Sequence, residues 1–141
     1  MCYIFDMKIT FDYSKEKDIW CLLNYGKSSF NSPTPTKVYE KLIEECGENP
    51  TAENTSLFIE RYLNENRFDI QEFISNYQKD WEVVSEQYIK RAEAIFQAKL
   101  PQDIIVYLTI NNRCPYNIKE NYFFVSVPAY SSTKTVMHEL W

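Results

Sequence analysis

Residues 104–110 read Ile-Ile-Val-Tyr-Leu-Thr-Ile, and residues 122–127 read Tyr-Phe-Phe-Val-Ser-Val. Both stretches are apolar and rich in β-branched or aromatic side chains, which favour β-strands. A polar loop, residues 111–121, separates them, and residues 131–133 then supply Ser and Thr as N-cap candidates for a final helix. The C-terminal part of the chain is therefore predicted to form a strand-loop-strand-helix unit.

The N-terminal segment alternates between apolar and polar residues, a pattern of period two that predicts a half-buried strand. Its apolar face would consist of Tyr3, Phe5, Met7, Ile9, Phe11 and Tyr13. Four helices are predicted to follow, over residues 14–25, 34–46, 50–66 and 69–98. In the second of these, Pro35 would lie in the first turn, where its missing N–H does no harm.

The fourth predicted helix carries a long apolar stripe, with residues repeating at spacings of three and four. We interpret the stripe as packing against the domain's own sheet, since two or three heptads are too few for a sustained coiled coil. The chain, residues 1–141, is thus predicted to be a single α+β domain with an N-terminal strand, a helical middle and the C-terminal unit. The sheet is expected to be mixed or antiparallel, with helices on one face.

Composition and charge argue against several classes of function. The chain has a net charge of −5 and no stripe of Lys and Arg, so neither nucleic acid nor an anionic membrane surface is an expected partner. Its two glycines are too few for a phosphate-binding loop. No signal peptide and no apolar run of about 20 residues is present, which favours a cytoplasmic location with reduced cysteines.

The strongest chemical signal is the pair His138-Glu139, which contains the single histidine of the chain. In an H-E-x-x-H motif two histidines one helical turn apart share a zinc ion, and the Glu activates the bound water. Here His138-Glu139-Leu140-Trp141 supplies the first four positions, and the second His would come next. At these residues the sequence resembles the zincin metallopeptidases, and the resemblance extends over the whole strand-loop-strand-helix unit.

The resemblance implies a function in peptide hydrolysis. It makes His138 a zinc ligand and Glu139 the general base, with zinc as cofactor and a peptide or protein as substrate. In zincins the motif helix packs under a sheet whose edge strand holds the substrate. The second His and the third ligand are missing from this sequence, so the chain alone is expected to be inactive and to represent the N-terminal part of a longer zincin-like protein.

Two other interpretations remain open at this stage. The chain could be a non-catalytic, acidic protein-protein interaction domain, in which His138-Glu139 is a coincidence and Trp141 anchors a docking surface. A nucleophile pair of Cys114 with His138 is conceivable, although cysteine is more often a small core residue. The polar loop between the two C-terminal strands is interpreted as a turn, and in a zincin it would lie near the cleft. The sequence does not predict an oligomeric state.

Overall fold

In the part of the chain that the structure describes, four strands form one mixed sheet in the order β1-β2-β4-β3. The computed structural model describes residues 8–29, 32–96, 103–117 and 119–127. β1 pairs in parallel with β2 and β2 in parallel with β4, whereas β3 pairs antiparallel with β4. The strands are β1 Lys8–Asp12, β2 Asp103–Thr109, β3 Tyr116–Asn117 and β4 Tyr122–Ser126. The predicted α+β class with a mixed sheet is confirmed.

The described residues between β1 and β2 contain four helices. Ser14, Thr36 and Thr51 cap the first three, and each side-chain oxygen accepts a hydrogen bond from the backbone N–H three residues on. Asp69 caps the fourth helix in the same way, because its Oδ1 accepts hydrogen bonds from the N–H groups of Gln71 and Glu72. The helices are α1 Lys15–Tyr25, α2 Lys37–Cys46, α3 Ala52–Glu65 and α4 Ile70–Phe96.

α4 packs on one face of the sheet, as the interpretation of its apolar stripe predicted. Tyr77 and Trp81 are buried against the inward residues of β1, β2 and β4. The ring of Tyr77 stacks on Phe11 with 5.3 Å between centroids, and its hydroxyl donates to the carbonyl of Ser126 at 3.3 Å. These contacts join the N-terminal half of α4 to β1 and β4.

The opposite face of the sheet is covered by α1, so the expectation of helices on one face is wrong. Trp20 of α1 stacks on Phe124 of β4, with 6.1 Å between ring centroids. A second core cluster then joins α1, α2 and α3 to Ile110 at the end of β2. The reason is visible in β2 and β4, where Tyr107 and Phe124 make the second face apolar as well, and an apolar face must be covered.

The second helix and the loop after β2 also differ from prediction. The second helix begins at Lys37 rather than Thr34, because Thr36 has an extended backbone and acts as the N-cap. The predicted turn at residues 111–121 contains β3, whose two residues are too few to give a period-two pattern. The predicted strand before Lys8 and the predicted helix after Thr133 lie outside the described residues.

Candidate functional site

The carboxyl ends of β1, β2 and β4 meet at one edge of the sheet, because the three strands are parallel. In open sheets of this kind ligands bind at the carboxyl ends of the strands. In the sequence, the segment with His138 and Glu139 follows β4. The polar groups at this edge therefore form the candidate site.

Asp18 lies at the centre of the polar groups that follow β1 and β2. It belongs to the first turn of α1 and is fully buried. Its carboxylate accepts hydrogen bonds from Thr109 Oγ1 at 2.5 Å, from the Ile110 N–H at 3.2 Å and from the Tyr13 hydroxyl at 2.8 Å. One carboxylate thus links α1 to the ends of two strands.

Burial raises the pKa of Asp18 from its ordinary value of 3.8 to about 6, because a charged carboxylate is poorly solvated there. The hydrogen bonds from Thr109, Tyr13 and Ile110 favour the charged form and offset part of this rise. Burial, followed by the nearby Asp18 carboxylate, also raises the pKa of Tyr13. The Tyr13 hydroxyl therefore stays protonated and acts as a donor.

Cys21 is buried beside Asn111 and is not a candidate nucleophile. The Asn111 side-chain amide donates to the Cys21 carbonyl at 3.4 Å and to Cys21 Sγ at 3.7 Å. Burial raises the pKa of the Cys21 thiol to about 12, so the reactive thiolate is scarce at neutral pH. Cys21 is a small core residue rather than a catalytic group.

Arg113 follows this network in the loop between β2 and β3, and it holds the connection between α1 and α2. Its guanidinium donates to the carbonyls of Tyr25 at 3.0 Å, Gly26 at 3.2 Å and Thr34, and to Ser32 Oγ at 3.1 Å. These acceptors are neutral oxygens, and the carbonyl of Tyr25 lies at the negative end of the α1 dipole. The polar groups from Asp18 to Arg113 thus brace the fold.

We expect Arg113→Lys to lower the free energy of unfolding by about 2 kcal/mol, because one ammonium cannot replace a planar group that reaches four acceptors. Urea unfolding followed by circular dichroism measures the change. Arg61→Lys is the matched control, since Arg61 forms one exposed ion pair with Glu45 at 2.5 Å and should change stability by less than about 1 kcal/mol. Equal losses in the two variants would contradict the bracing role of Arg113.

β3 lies at the end of the sheet, next to β4. Tyr116 of β3 pairs with Phe123, and the carbonyl of Pro115 accepts from the Phe124 N–H at 3.1 Å. The Tyr116 side chain is 65% exposed. Among the described strands β3 is therefore an edge strand, beside the strand that precedes the His138-Glu139 segment.

The predicted site residues His138 and Glu139 lie outside the described residues, as does the His138 half of the pair with Cys114. Within the described ranges no three His, Cys, Asp or Glu side chains come together as a metal site. In the same ranges no helix has the length and apolar character needed to cross a membrane.

No family model, curated protein or solved structure matches this chain. The site is therefore interpreted from its own residues. Sequence reasoning did not single out Asp18, although the sequence holds one signal for it. Asp18 directly precedes Ile19 and lies three and four residues before Cys21 and Leu22, so it shares a helix face with apolar residues. An acid on the apolar face of a helix needs buried donors.

Proposed function

We propose that this chain belongs to a zinc-dependent peptidase, with His138 as one metal ligand and Glu139 as the general base. The proposal rests on the zincin resemblance of residues 138–141 and on the order of elements before them. The long helix α4 is followed by β2, the edge strand β3 and the neighbouring strand β4. The segment with His138-Glu139 comes next in the sequence.

The observation that carries the proposal is the position of β3. A zincin holds its substrate along an edge strand, and β3 is a short edge strand antiparallel to β4. An edge strand binds an extended peptide through main-chain hydrogen bonds, and this mode of binding tolerates many substrate sequences. The exposed ring of Tyr116 would then contact a substrate side chain.

This sequence supplies too few zinc ligands for catalysis. A catalytic zinc site takes three protein ligands and leaves one position for water. His138 is the only histidine of the chain, so the motif requires a second His at the position after Trp141 and a third ligand beyond it. Zinc bound there would supply an activated water, and Glu139 would accept its proton.

The test uses the natural protein with every residue that its gene encodes after Trp141. We expect about one zinc per chain by elemental analysis and hydrolysis of an unstructured protein such as casein. Glu139→Gln should keep the zinc and lower kcat by at least about a hundredfold, because it removes only the base. His138→Ala should lose the zinc. Glu82→Gln, an exposed change on α4, is the matched control and should alter neither property.

Two results would show that the chain is not part of a zinc peptidase. A natural protein without a His after Trp141, or one that holds no zinc, would contradict the peptidase proposal. The acidic interaction domain would then be the better interpretation, and β3 would be the first surface on which to search for its partner.

A further inference from the structure

A small pocket lies between the first turns of α1 and the start of β4. Its volume is ≈ 220 Å³, and it is lined by Ser14, Glu16, Lys17, Trp20 and Tyr122. Pockets for drug-sized ligands begin at roughly 300 Å³, so this one has room for a single small ring. Neither the bracing network around Asp18 nor the proposed zinc site uses these five side chains.

Trp20 gives the pocket a rigid apolar surface. Its side chain is 41% exposed although it is one of the largest in the chain. One side is held against Phe124, with an angle of 16° between the rings, and Tyr25 packs at 5.5 Å between centroids. A large aromatic ring fixed in this way can bind a second apolar face without further loss of side-chain freedom.

The charges that line the pocket cancel. The Lys17 ammonium lies 4.4 Å from the centre of the Tyr122 ring and 5.7 Å from that of Tyr107, a cation–π arrangement. Glu16 supplies the opposite charge. An anionic ligand would meet the Glu16 carboxylate and a cationic one the Lys17 ammonium, so a neutral ligand suits this lining best.

Hydrogen-bonding groups of both kinds surround the aromatic surface. Lys17 can donate, Glu16 can accept, and the hydroxyls of Ser14 and Tyr122 can do either. Ser14 Oγ accepts from the Lys17 N–H at 3.2 Å, which leaves its hydroxyl hydrogen available to a ligand. A matching ligand therefore has one apolar face and several groups that both donate and accept.

We propose that this pocket binds a single neutral pyranose sugar, with the C–H face of the ring on Trp20 and its hydroxyls bonded to Glu16 and Lys17. A pyranose combines these properties, because its C–H groups gather on one face and its hydroxyls project from the rim. The inference does not depend on His138 or Glu139, and it holds whether or not the chain belongs to a peptidase.

The test is titration of the chain with D-glucose, D-galactose, D-mannose and N-acetyl-D-glucosamine, followed by two-dimensional NMR of labelled protein. We expect at least one of them to bind with a Kd of about 1 mM and to shift the signals of Trp20 and Lys17. Trp20→Ala should weaken binding at least about tenfold. Leu57→Ala, which removes another exposed apolar side chain, should leave the Kd unchanged.

A second variant keeps the test decisive if Trp20→Ala fails to fold. Glu16→Gln keeps the size of an exposed side chain but weakens its acceptor, and it should weaken sugar binding severalfold without altering the circular dichroism spectrum. The proposal is overturned if none of the four sugars shifts the pocket signals at about a hundredfold above the expected Kd. Tighter binding of D-glucuronate, or equal binding by the Trp20 and Leu57 variants, would overturn it as well.

Discussion

Replacing Asp18 with alanine is expected to lower the free energy of unfolding by about 4 kcal/mol at pH 5. The substitution removes the acceptor of three donors at once. The Thr109 hydroxyl and the Ile110 N–H are buried, so no solvent replaces the oxygen of the lost carboxyl group. At pH 5 the Asp18 carboxyl is mostly neutral in the folded protein. The substitution therefore removes no buried charge, and no gain from that source offsets the lost hydrogen bonds.

Urea unfolding of the purified variants measures this effect. Glu16→Ala is the matched control, because it removes an exposed carboxylate from the same turn of α1. It should cost less than about 1 kcal/mol. If Asp18→Ala were no less stable than Glu16→Ala, the carboxylate would not link α1 to the strand ends as the hydrogen bonds indicate.

The second large effect concerns pH. Asp18 has a pKa of about 6 in the folded protein and roughly 3.9 in an unfolded chain. Between these values the folded state binds more protons than the unfolded state, so the contribution of Asp18 to stability falls as the pH rises. We expect the protein to lose on the order of 2 kcal/mol through this group between pH 4 and pH 7.

Asp18→Asn isolates this contribution from the titration of the other carboxyl groups. Asparagine keeps an acceptor for Thr109 and Ile110, and its amide can donate to the Tyr13 oxygen. The difference in unfolding free energy between the wild-type protein and Asp18→Asn should therefore change by about the same 2 kcal/mol over this range, with the wild type less stable relative to the variant at pH 7. A difference that stays constant with pH would show that the carboxyl titrates normally.

The strands were the most predictable part of the fold. β2 and β4 follow from runs of β-branched and aromatic residues, whereas the cap of α2 at Thr36 was not predicted, since Thr34 and Pro35 offered an earlier start. The parallel pairing of β1 with β2 could not be predicted, because it depends on contacts across the whole helical middle. For the same reason, the sequence did not predict that helices cover both faces of the sheet. A period-two pattern assigns the two faces of a strand but does not specify which element covers each one.

The site was less predictable than the fold. Asp18 became visible only when Thr109, Ile110 and Tyr13 were brought together, since its partners lie up to 92 residues away. β3 carries no sequence signal, because two residues cannot show a period. The roles of His138 and Glu139 stay predictions that rest on the motif and on the order of the strands.

The parallel pairing of β1 with β2 also has a consequence for synthesis of the chain on the ribosome. Lys8–Asp12 leaves the ribosome well before its partner strand, which starts at Asp103 and is made only after α1 to α4. Throughout that interval Ile9 and Phe11 have no sheet to join, and their segment is available to any other unpaired strand. Distant pairing of this kind slows folding and exposes strands to aggregation. The yield of correctly folded protein should therefore depend strongly on chaperones and on a low expression temperature. The high helix content alone would suggest a weaker dependence.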